Sequence, residues 1–156
     1  SAHRRQRQMC IRDSSNIVGI KDACGDASRV SAIKNALGES ARDEFFILSG
    51  EDGQTLEMMD LGAVGTISVT ANVLPKQMAE FCASYLAADY ARARLIDAKV
   101  QPVHGALFVE SSPTPTKWIL SELGHIQAGI RLPLIPLSSQ YHEKVRNAVV
   151  SAGAAE

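Results

Sequence analysis

Apolar positions form three short unbroken runs in the first half of the chain and fall at helical spacing in the second. The first run, Asn16-Ile17-Val18-Gly19-Ile20-Lys21, is stopped at once by Asp22-Ala23-Cys24-Gly25-Asp26. A continuous run rich in β-branched residues and closed by turn chemistry predicts a strand over 16–21, buried on both faces. Val30, Ile33, Ala36 and Leu37 then lie on one face of a predicted helix over 28–37, with Gly38 as its stop. Phe45-Phe46-Ile47-Leu48-Ser49-Gly50 reads as a second buried strand. The turn Glu51-Asp52-Gly53 follows, and a short helix over 54–61 carries Leu56, Met59 and Leu61. A third strand is expected over 64–70, ending at Ala71-Asn72. Alternation of strand and helix at these short connections means right-handed βαβ units and a parallel sheet.

Beyond Asn72 the strand period does not return. Pro75 suits the first turn of a helix over 76–88, and a second helix covers 90–100, with Pro102 kinking or ending it before 104–109 resumes. Pro113 and Pro115 bracket the start of a helix over 116–123, stopped by Gly124. A loop punctuated by Pro133 and Pro136 follows. Ser138 or Ser139 caps a last helix to 150, with Val145, Val149 and Val150 apolar. Three parallel strands leave two open edges and cannot close a barrel, since a complete (β/α)8 barrel takes about 250 residues. The pattern looks like the back half of such a fold.

Charge and cysteine usage narrow the picture. The net charge of −1 is uneven: residues 1–15 hold four arginines against one aspartate, so the rest of the chain is mildly acidic. Such a body carries no nucleic-acid footprint. No run approaches the roughly 18 apolar residues of a membrane span. Cys10, Cys24 and Cys82 are odd in number and far apart, which indicates free thiols in a reducing cytoplasm. His142-Glu143 opens like a zincin motif, but Arg146 stands where the second histidine would be, so no metal site is expected. Residues 1–15 lack an apolar core and are no secretory signal. They match nothing downstream in character and are expected to lie outside the fold as a non-native or disordered extension. Residues 16–74 form the strand-bearing part, and residues 75–156 the last barrel helix and a helical domain.

Lys21 is the candidate for chemistry. A lysine at the carboxyl end of a buried parallel strand sits where α/β folds place their reactive groups. Strand-end lysines also snorkel to solvent with no further role, and spacing alone leaves both readings open.

VGIKDACGD, FFILSGEDG, GTISVTANV, HGALFVESSPTPTKW and IRLPLIPLS together resemble the dihydrodipicolinate synthase (4-hydroxy-tetrahydrodipicolinate synthase) family, in that family's order and near its spacing. The resemblance covers residues 16 to about 153. SVTANV with FVExxPxPxKW is specific, whereas GIK and SGxD occur across the wider pyruvate-dependent aldolases. It implies that 16–21, 45–49 and 64–70 are strands 6–8 of a TIM (β/α)8 barrel, followed by a C-terminal helical domain.

The resemblance further implies that Lys21 forms a Schiff base with pyruvate, and that the resulting enamine adds to aspartate semialdehyde on the way to lysine and diaminopimelate. Apolar neighbours such as Ile20 and a barrel rim would favour the free amine, the nucleophilic form. No separate cofactor is implied, because the lysine itself is the covalent group. Gly50 matches a glycine lining the active site and Ile67 a residue packed near the bound pyruvate. In the bland reading these are a turn glycine and barrel core. Asn72 holds the turn after the last strand. Ser112 stands where an asparagine is common, and residues 39–43 read as a small insertion.

The family's proton-shuttling tyrosine, its partner threonine, the tyrosine lent by a neighbouring subunit and the carboxylate-binding arginine all belong to strands 1–5, which the resemblance does not reach. The chain alone is therefore expected to be inactive. Family members are commonly homotetramers. The competing readings are a related lyase (N-acetylneuraminate lyase or a keto-deoxy sugar-acid aldolase) and a non-catalytic half-barrel that associates with another chain.

Overall fold

A computed structural model of the chain describes residue 14 and residues 16–38 and 45–153. The basic amino-terminal stretch, with Cys10, and the proposed insertion at 39–43 lie outside the described residues apart from Ser14. The chain divides into two compact units, Ser1–Ile67 and Ser68–Glu156.

The first unit is built on a parallel sheet in the order β1 (Gly19–Asp22), β2 (Phe46–Ser49), β3 (Gly65–Thr66). In register, Gly19 pairs with Phe46, Lys21 with Leu48, Asp22 with Ser49, and Ser49 with Thr66. Helices α1 (Arg29–Leu37) and α2 (Thr55–Asp60) fall between the strands, giving the βαβ order that the apolar pattern predicts. Val30 and Ile33 of α1 are buried, as are Met58 and Met59 of α2. Gly38 ends α1 at φ 75°, a left-handed conformation that a side chain would strain.

Burial corrects the sequence reading in detail. The sheet is buried on one face, not both. Phe45, Ile47 and Ser49 are buried while Phe46, between them, is 49% exposed. Ala36 is exposed, and Leu61 lies at the surface, with Met58 taking the inward place on α2. The third strand is two residues long rather than seven. Flanking bonds from Val64 N–H to Ile47 O and from Ile67 N–H to Ser49 O carry the ladder one residue further each way. Thr70–Asn72, expected to end the strand, is a 3-10 segment.

The second unit is helical: α3 (Pro75–Leu86), α4 (Tyr90–Ala106), α5 (Thr114–Glu122) and α6 (His142–Ser151). Pro75 opens α3, where its missing N–H has no helical acceptor to lose. Asp89 caps α4 by accepting from the Arg92 N–H. Pro102 does not break α4, which runs through it for 17 residues. Pro102 and Ala98, whose carbonyl loses its helical partner, are both exposed, so the freed group is open to solvent. Ala93, Val100, Val103 and Ala106 bury the opposite side of α4. Val145 and Val149 anchor α6, whereas Val150 is half exposed. Ser138 makes no side-chain cap. Its N–H donates to Glu110, and a 3-10 turn at Ser139–Tyr141 leads into α6 instead. No described helix is long and apolar enough to cross a membrane.

Candidate active site

Lys21 lies inside β1, flanked through the ladder by Leu48. Strand alternation sends Lys21, Leu48 and Gly50 to one face, and Gly65 and Ile67 to the same face of β3. The structure therefore brings together all three site residues expected from the sequence. Gly50 joins β1 directly, its N–H donating to the Asp22 carbonyl at 2.7 Å. The lysine side chain crosses the space above it: a Cβ on Gly50 would stand 2.6 Å from Lys21 Cε and 2.7 Å from Ala23 Cβ. Gly50 is thus more than a turn residue, because its missing side chain is the room that the lysine occupies. Ile67 is tied to the same strand end through the bond from its N–H to Ser49 O, and its side chain is 48% exposed.

Lys21 is exposed in this chain, so the apolar enclosure expected around its amine is not formed by the described residues. Ile20 points to the other face and is half-buried.

A polar brace beneath the site escaped the sequence reading. Asp22, buried next to Lys21, accepts from Arg29 Nε at 2.7 Å and from the Cys24 N–H at 3.2 Å. The hydrogen bond to Asp22 holds the Arg29 guanidinium above its ordinary range. At the end of β2, Ser49 Oγ donates to Glu51 O and accepts from the Glu51 N–H, closing the turn that starts at Gly50. Thr66 Oγ1 donates to Ser49 O at 3.2 Å, and Thr55 Oγ1 to Glu51 O. The detectable signal was Ser-Gly-Glu in the turn, a hydroxyl two residues before a backbone donor. The Asp22–Arg29 pair spans a strand and a helix and had no sequence signature.

Asn72 bonds Val69 O through its side-chain amide at 2.9 Å, in keeping with the turn-holding role expected of it. Cys24 is exposed and Cys82 half-buried, and neither is in a disulfide. Among the described residues no three His, Cys, Asp or Glu side chains gather where they could hold a metal ion.

Comparison with known proteins matches residues 9–152 to the dihydrodipicolinate synthetase family. The chain belongs to that family. It is 46% identical over 138 residues to a curated 4-hydroxy-tetrahydrodipicolinate synthase of Pseudomonas aeruginosa, a match covering 88% of this chain and 46% of that protein. Among solved structures it is similar to the chloride-inhibited dihydrodipicolinate synthase of Acinetobacter baumannii complexed with pyruvate. The TM-score is 0.86 at 46% identity, over 96% of this chain and 50% of that one. It is also similar to a monomeric dihydrodipicolinate synthase variant, with TM-score 0.88 at 37% identity, over 96% of this chain and 50% of that one. The chain spans about half the length of the curated relatives it matches. Its α/β fold is accordingly a three-strand portion of a TIM barrel together with a helical part.

Proposed function

We propose that this chain supplies the lysine-bearing part of a 4-hydroxy-tetrahydrodipicolinate synthase, a class I aldolase-type lyase acting on pyruvate and aspartate semialdehyde. One observation carries the reading: Lys21 projects from the carboxyl end of a parallel strand across a glycine that leaves its side chain room. The Acinetobacter baumannii relative, solved with pyruvate, supports the choice of keto acid.

The Lys21 amine adds to the pyruvate ketone carbon, and loss of water leaves an iminium. That cation draws electrons from the methyl carbon, which gives up a proton to form the enamine. The enamine carbon attacks the aldehyde of aspartate semialdehyde, forming the new carbon–carbon bond while the nitrogen returns to iminium. Gly50 gives the lysine its path, and Ile67 offers an apolar wall to the pyruvate methyl. Asp22 and Arg29 hold β1 against α1 and so fix the base of the lysine. No cofactor takes part in this scheme. The face around Lys21 provides no acid/base partner among the described residues, so the chain alone forms the imine without turning over. The setting is lysine and diaminopimelate biosynthesis in the cytoplasm, and the assembly a homo-oligomer, a tetramer in the intact protein.

The test is reductive trapping. The chain is incubated with pyruvate and borohydride, digested, and mapped by mass spectrometry. One reduced pyruvyl group on the Lys21 peptide is expected, absent from Lys21→Ala. No adduct, or an adduct that survives Lys21→Ala, overturns the reading.

A further inference from the structure

A hollow lies wholly within the helical unit, between α5 and the loop that leads to α6. Thr114, Lys117, Trp118 and Ser121 line one side of it. They stand at i, i+3, i+4 and i+7, so one face of α5 is turned to the hollow. Ile130, Pro136 and Leu137 of the loop line the other side.

The apolar walls are held in place from α6. The Trp118 indole stacks on the His142 imidazole with ring centres 4.2 Å apart, and the Arg146 guanidinium lies 5.4 Å from the indole centre. His142 Nε2–H donates to Leu137 O at 3.1 Å, which ties the loop wall to the helix that backs the indole. A site of this kind is formed before its ligand arrives.

Two polar groups in this apolar setting are left without partners. Among the described residues the Lys117 ammonium has no carboxylate in ion-pair reach, and the Thr114 hydroxyl makes no hydrogen bond. Thr114 is nevertheless only 4% exposed, and Lys117 is half-buried. A buried hydroxyl without a partner and a half-buried cation without a counter-ion each carry a desolvation cost that a ligand can offset. No carboxylate lines the hollow, so an anion answering Lys117 must come from outside it.

We propose that this hollow binds a small aromatic carboxylate. Its ring packs against Trp118, Ile130 and Leu137, and its carboxylate accepts from Lys117 and from the Thr114 hydroxyl one turn away. The volume sets the size. The hollow measures about 140 Å³, and an apolar cavity of roughly 150 Å³ takes a benzene ring. The site is independent of the lysine chemistry proposed for the first unit.

Trp118 is the single tryptophan of the chain, so its fluorescence reports binding here. The chain is titrated with benzoate and with benzamide, which has the same shape and no charge. Benzoate should change the emission saturably, with a Kd on the order of 0.1–1 mM for so small a ligand. Benzamide should bind about tenfold more weakly, because it forms no charge-assisted bond with Lys117. Lys117→Met should abolish that preference, and Thr114→Val should weaken benzoate severalfold. Lys76→Met removes the same charge at a different hollow and should alter neither affinity.

Circular dichroism verifies the fold of each variant, and the comparison of the two probes on the unaltered chain needs no variant. An emission that never saturates with benzoate, equal affinity for the two probes, or a preference that survives Lys117→Met in a folded chain would overturn the proposal.

Discussion

The side chain of Lys21 runs across the backbone of Gly50, so closely that a Cβ at position 50 would stand 2.6 Å from Lys21 Cε and 3.0 Å from Cγ. The two residues lie on neighbouring strands and are held by the bond from the Gly50 N–H to the Asp22 carbonyl. Their backbones cannot part without breaking that bond.

Gly50→Ala should therefore act on the lysine first. The lysine tip can swing aside, but Ala23 Cβ, at 2.7 Å from the added atom, is fixed to the backbone. We expect a stability loss of about 1–3 kcal/mol, the usual cost of overpacking, and slower pyruvate trapping at Lys21. Urea unfolding and the trapping rate measure the two effects. Unchanged trapping would mean that the lysine has another route to the keto acid.

The Asp22–Arg29 pair should matter more than an exposed ion pair. Asp22 is nearly enclosed, with 7% of its side chain exposed, while Arg29 keeps 27%. Asp22→Ala leaves the Arg29 Nε–H and the Cys24 N–H without their acceptor, at a cost of about 1–3 kcal/mol. Asp22→Asn should cost less, because its remaining oxygen can still take one of the two bonds. Urea unfolding ranks the three proteins, and equal stability of all three would show that the brace contributes nothing.

What was legible in the chain follows from how local each cause is. The βα order, the glycine stop of α1 and the Pro75 start of α3 are set within a few residues and were readable. Phe46 could not be assigned an exposed face from an unbroken apolar run, because such a run is also what a strand buried on both faces looks like. Pro102 was expected to interrupt a helix, yet its cost depends on whether the carbonyl of Ala98 meets water, which only packing decides. At the site, Lys21 was marked by its place at the end of a predicted strand and given its role by family motifs, and Gly50 and Ile67 came from those motifs alone, while Asp22–Arg29 joins a strand to a helix and leaves no periodic trace.

Asp97 gives the chain a pH dependence of definite sign. It is buried on α4, and burial raises its pKa from the ordinary 3.8, opposed by the Gln101 amide and by attraction to His104 and Arg94. The folded state thus holds this proton more tightly than the unfolded chain. The contribution of Asp97 is most favourable below the unfolded value and declines as pH rises towards the raised folded one. Asp97→Asn keeps an acceptor for Gln101 and has no charge to bury. Its melting temperature should exceed that of the parent at about pH 7 and converge with it towards about pH 4. A variant less stable than the parent at neutral pH would mean that the carboxylate's attractions outweigh its burial.

The last prediction concerns the contact between Thr70 and His104. Thr70 Oγ1 lies 2.7 Å from His104 Nδ1, with the two residues 0% and 6% exposed. It ties the 3-10 turn that follows β3 to the buried side of α4, and either group can be the donor, depending on the imidazole tautomer. Thr70→Val keeps the shape and removes the hydroxyl, so the imidazole nitrogen is left without that partner in a dry site. His104→Ala removes the ring and adds a cavity, so it should be the costlier change. Both residues make further interactions, and each single substitution therefore measures more than the shared bond. A double-mutant cycle isolates it, and a coupling of about 1 kcal/mol is expected from a neutral buried hydrogen bond. Zero coupling would show that the turn is held by packing and not by the histidine. A coupling well above that size would mean that the hydrogen bond extends into a network, with Gln101 and Asp97 about one and two turns earlier on the same helix as its nearest members.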